Sequence, residues 1–79
     1  MTGDPHQNAR AIELALDRLA EIADQSERSR DTRVFWEETK QVNRLFMYRR
    51  LLHPDRVRLF VRHEELCDRM RDGSCFPPE

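Results

Sequence analysis

Glycine is almost missing from this 79-residue sequence. Only Gly3 and Gly73 occur, so no Gly-rich loop exists to cradle a phosphate. Proline occurs four times and β-branched residues are sparse, while Leu, Ala, Glu and Arg, all good helix formers, are abundant. Cysteine is limited to Cys67 and Cys75, too few for the disulfide framework of a small secreted domain. No apolar run approaches the roughly 18–20 residues of a membrane span. The opening MTGDPHQNAR lacks the charged-then-apolar layout of a signal peptide. The expected compartment is therefore the cytoplasm, with no membrane contact. Surplus charge of either sign is missing too. The net charge is -1, which gives no global pull towards nucleic acid or an anionic surface. Lysine is limited to Lys40, so arginine carries nearly all of the positive charge.

What is present is charge and helical periodicity. Charged residues make up 37% and hydrophobic residues 38% of the chain, so the apolar residues must sit on defined stripes for it to fold. A chain this short supports one domain with a marginal core, which favours oligomerisation. The expected fold is all-α: a small three-helix bundle, a helical hairpin plus a third helix, forming a homodimer, with residues 1–79 as one domain.

The first helix is expected over 5–24. Asp4 supplies a capping acceptor and Pro5 suits the first helical position. Ile12, Ala15, Leu16, Leu19, Ile22 and Ala23 share one face, opposite Glu13, Asp17, Glu21 and Asp24. Residues 25–30 read as a polar connector. The second helix is expected over 31–52, with two apolar stripes. Phe35, Val42, Leu45, Phe46 and Leu52 form one stripe, widened by Val34 and Tyr48; Trp36, Met47 and Leu51 form the other. Pro54 forces a break at His53, and a third helix is expected over 54–71. Its inward side is read as Val57, Phe60, Val61, Cys67 and Met70, broadened by Leu59 and Leu66. Gly73 is read as its cap and 74–79 as an irregular tail.

Catalytic chemistry finds no support. No serine sits in a nucleophile elbow, and the carboxylates lie on an outer helix face where solvent keeps them ordinary. No enzyme activity, catalytic residue or cofactor is expected. His63 and Cys67 stand four apart, the spacing that zinc ligands use on helices. Without a CxxC pair, Cys67 reads instead as a small buried hydrophobe and His63 as a half-exposed flanking ring, with no metal site.

The segment Tyr48-Arg49-Arg50-Leu51-Leu52 leads into His53-Pro54-Asp55. It resembles the signature of J-domain co-chaperones, in which an HPD tripeptide beside a basic helix engages an Hsp70 partner. The resemblance covers residues 48–55 and implies chaperone contact through His53, Pro54 and Asp55. No YxxLG-type helix precedes the tripeptide, and no long loop follows it.

Two surfaces are candidates for partner binding. One is the second stripe of helix 2, Trp36, Met47 and Leu51, with Arg50 as its charged neighbour, since Trp, Met and Arg are enriched at interface centres. The other is the basic stripe of helix 3, with Arg58 and Arg62 as contacts. The expected function is non-enzymatic: binding, masking, inhibiting or bridging a larger intracellular protein such as a transcription regulator or phage or host machinery. Nucleic-acid binding through the Arg-rich helix 3 region is the alternative, which a pI of about 6.3 does not favour. The J-domain-like role comes third.

Overall fold

A computed structural model describes residues 4–72 as three helices: α1 Pro5–Ser29, α2 Arg33–Tyr48 and α3 His53–Asp72. No strand occurs among the described residues, and the all-α three-helix expectation holds. The expected cap at Gly73, the tail 74–79 and Cys75 lie outside the described residues. No helix among the described residues is long and apolar enough to cross a membrane.

α1 starts as its sequence dictates. Asp4 is extended, its carboxylate accepts from the His6 N–H at 3.2 Å, and Pro5 opens the helix. The helix does not stop at Asp24 as expected. It runs on through the polar stretch to Ser29, because no glycine or proline interrupts it and Ser26 is buried. It ends where Arg30 turns left-handed, at φ 63°, and returns its N–H to the Ser26 carbonyl at 2.8 Å. Twenty-five residues at about 1.5 Å each give roughly 37 Å, in line with the 39 Å long axis of the molecule.

α1 is the central element. Both α2 and α3 pack along it, and they touch each other only lightly. Ile12, Leu16 and Leu19 from α1 are fully buried against Phe35, Val42 and Phe46 from α2 and Leu59, Leu66 and Met70 from α3. The face expected for α1 is the face it buries, extended by Asn8, Ala9 and Ser26.

α2 is shorter than expected. Arg49 is already extended and returns its N–H to the Leu45 carbonyl. A short link over 49–52 then leads into α3. The Asn8 amide clamps this link by donating to the Arg50 carbonyl at 3.0 Å. Asp31, rather than a Thr32 hydroxyl, supplies the side-chain acceptor at the start of α2, receiving the Arg33 N–H at 3.1 Å. Val34, Tyr48 and Leu52, read as widening or completing the first stripe, are exposed.

The inward side of α3 differs from the expected one. Leu59, His63, Leu66, Cys67 and Met70 face the core, whereas Val57, Phe60 and Val61 are about half exposed. At about 100° per residue, Val57 and Val61 lie roughly 140–180° from the Leu59–Met70 side. Only one of these two apolar sides can meet α1. His63, expected as a half-exposed ring, is 3% exposed.

Candidate functional site

The side of α3 left uncovered by α1 faces the C-terminal half of α2. Because α2 and α3 both pack on α1 and touch each other only lightly, an open groove of about 790 Å³ lies between them. α2 supplies Asn43, Phe46 and Met47 to its walls; α3 supplies Arg56, Val57, Phe60 and Val61. Met47 is 73% exposed and Phe60 45% exposed, with Val57 and Val61 similar to Phe60.

The floor is firm. The Phe46 ring meets Phe60 edge-on with centroids 5.8 Å apart and stacks against His63 at 5.9 Å. Beneath it run the buried polar groups of the α2–α3 seam. His63 Nε2 finds no hydrogen-bond partner among the described residues. Burial pushes the His63 imidazole below its ordinary value, with Glu64 pulling weakly the other way. Burial likewise pushes the free Cys67 thiol up, disfavouring the thiolate. Although His63 and Cys67 both face inward, the described residues contain no cluster of three metal-ligating side chains.

Arg56 brings positive charge into the groove wall. Arg44, Arg49 and Arg50 lie near it along the chain around the α2–α3 junction, and none of the four forms an ion pair among the described residues. Arg56 is held in place, because its Nη1 donates to the Phe46 carbonyl at 3.1 Å near the end of α2. Arg49 reaches the Asn8 side-chain oxygen at 3.5 Å. The one carboxylate on this stretch, Asp55, accepts instead from Arg58 at 3.0 Å.

No protein-family model matches the chain, and no curated protein or solved structure matches it either. Any reading of the site therefore rests on its own chemistry.

The structure separates the six residues read from the sequence as a partner surface. Met47 lines the groove. Leu51, expected beside it, points into the core and is 9% exposed, because α2 has already ended and the link turns inward. Trp36 sits eleven residues before Met47, roughly 16 Å away along the helix axis. It packs edge-on to Phe35 at 4.9 Å, with the Arg71 guanidinium 5.8 Å from its ring. Arg50 is exposed at the junction. Arg58 and Arg62 are ion-paired to the acidic face of α1, Arg58 with Glu13 at 2.8 Å and Arg62 with Asp17. Arg69 completes this seam with Asp24 and Glu27. The two carboxylates are held below their usual range by its hydrogen bonds. The His53-Pro54-Asp55 tripeptide forms the first turn of α3.

Sequence reasoning missed Val57, Phe60, Val61 and Asn43 as a site, although Arg49, Arg50 and Arg56 stand out in the sequence as a concentration of positive charge at the helix 2–helix 3 junction. A signal was present: apolar residues at 57, 59, 60 and 61 span more of the α3 circumference than one neighbouring helix can cover.

Proposed function

We propose that this chain is a non-enzymatic docking protein that seats an apolar helix of a larger protein in the groove between α2 and α3, and so masks, inhibits or bridges that partner. The observation that carries this reading is the convergence of exposed Met47, Val57, Phe60 and Val61 on one groove. Exposed apolar side chains normally occur singly; a contiguous patch with a polar or charged rim marks an interaction site. A trough between two helices suits a third helix bearing apolar residues at i, i+3, i+4 and i+7. The cytoplasm is the setting consistent with a free, buried Cys67 thiol.

Self-association through this groove is the weaker reading. A two-fold dimer brings the same patch of each copy together. It would place the unpaired arginines of one junction against those of the other, at an electrostatic cost.

Photo-crosslinking residues placed at Met47, at Val61 and, as a control, at Glu21 on the exposed side of α1 test the reading in the native host. Met47 and Val61 should capture the same larger protein, and Glu21 should not. The purified partner should then lose about thirty-fold in affinity for the Phe60→Ala variant, the loss expected of an interface anchor. Capture of only a second copy of this chain from the groove positions, or the same products from Glu21, would refute it.

A further inference from the structure

The occupant of the groove can be specified further by charge. Resting on the docking reading above, we propose that the partner segment is an acid-flanked amphipathic helix. Its apolar face lies on Met47, Phe60 and Val61, and its carboxylates meet the arginines of the α2–α3 junction.

The inference comes from where the molecule uses its charges and where it leaves them over. Along the α1–α3 seam, Arg58, Arg62 and Arg69 are matched by Glu13, Asp17, Asp24 and Glu27. At the junction the matching stops. Arg44, Arg49, Arg50 and Arg56 cluster within thirteen residues, and the single carboxylate among them, Asp55, is taken by Arg58.

Arg56 is the most informative of the four. It lines the groove, and its bond to the Phe46 carbonyl holds the guanidinium at the groove edge while leaving further N–H donors. A pre-oriented guanidinium loses little side-chain freedom when it takes a carboxylate in bidentate geometry. Arg44 precedes Met47 by three residues and so flanks it on the next turn of α2. An occupant thus meets an apolar floor with the Arg56 guanidinium in its wall and Arg44 one turn from Met47. This chain cannot readily supply such a segment to a second copy, because the acidic face of α1 is already engaged with α3.

The test uses the full-length, 15N-labelled protein and three synthetic helical peptides. All share one Leu/Phe stripe, and their flanking positions are Glu, Gln or Lys. The Glu-flanked peptide should move the amide resonances of Met47, Val57, Phe60 and Val61. It should bind about ten-fold or more tightly than the Lys-flanked peptide at low salt, with the gap narrowing as salt screens the rim. The double variant Arg44→Glu, Arg50→Glu, which alters only exposed side chains, should abolish or invert that preference. Equal binding of all three peptides at the groove would overturn the acidic inference and leave the docking reading standing. If no peptide perturbs the groove, the docking reading itself fails. If instead a DNA or RNA oligonucleotide shifts the junction arginines and the peptides do not, the basic rim serves phosphates and both ideas fall.

Discussion

Arg58 on α3 donates to Glu13 on α1 at 2.8 Å, across 45 residues of chain. Arg62 and Asp17 repeat the separation of 45, as do Arg69 and Asp24. A constant offset means that α1 and α3 run parallel and in step, with α2 running back along α1 as the connection. It also explains why the stripe of Arg58, Arg62 and Arg69 on α3 is not a free basic face. Parallel helices that share a heptad-like spacing bring the same side together turn after turn. The acidic stripe of α1 takes up the positive charge as it goes.

Reversing one rung of this ladder tests whether it directs the pairing. Arg62→Asp should lower the melting temperature, because it faces Asp17 with a like charge. Adding Asp17→Arg should restore most of the loss. The effect should be larger in low salt than in high, since both groups are exposed and screened. A double variant no more stable than the single one would show that this pair contributes no orientation-specific attraction. Thermal unfolding followed by circular dichroism at two salt concentrations measures it.

Leu51 and Met47 look alike in the sequence and should behave oppositely. Leu51→Ala should destabilise the free protein by about 2–4 kcal/mol, as core truncations do, because Leu51 belongs to the core cluster. Met47→Ala should change stability by less than about 0.5 kcal/mol, the usual range for a surface position, since Met47 is 73% exposed. Only Met47→Ala should reduce partner binding without loss of fold. Urea unfolding curves for both variants check the first two statements, and equal losses would contradict the placement of Leu51.

Acid should weaken the fold through His63. Its folded value lies below the ordinary 6.5, so the unfolded chain takes up the proton first as pH falls. Above about 6.5 the imidazole is neutral in both states and adds no pH dependence. Stability should then drop as pH falls through 6.5 towards the depressed folded value, and level off for this group below it. The carboxylates bound by Arg69 act in the same direction at lower pH: Asp24 and Glu27 are depressed, so their contribution is present at neutral pH and lost as they protonate. Comparing unfolding at pH 8 and pH 5.5 in the natural sequence and in His63→Phe separates the two. The variant should lose most of the difference, and an unchanged pH dependence would remove His63 from the account.

The sequence by itself determined what depends on neighbours along the chain. Asp4-Pro5 starts a helix because cap and ring act within one turn. The Ile12–Leu16–Leu19–Ala23 stripe was legible because one narrow apolar face admits one buried side. Pro54 marked the boundary between α2 and α3 because it cannot continue the preceding helix. Tertiary structure decided everything that required choosing between equivalent local options. On α3, two apolar sides compete for one central helix; Leu59, Leu66 and Met70 took it, and Phe60 and Val61 became the groove. On α2, the helix could have run on to Leu52, but the Asn8 clamp on the Arg50 carbonyl and the burial of Leu51 turned the link inward after Tyr48. The arginines of α3 read alike in sequence, yet the parallel register of α1 neutralised Arg58, Arg62 and Arg69 and left Arg56 without an acidic partner among the described residues. Pairing across 45 residues is a property of how two helices lie against each other, and no local pattern carries it.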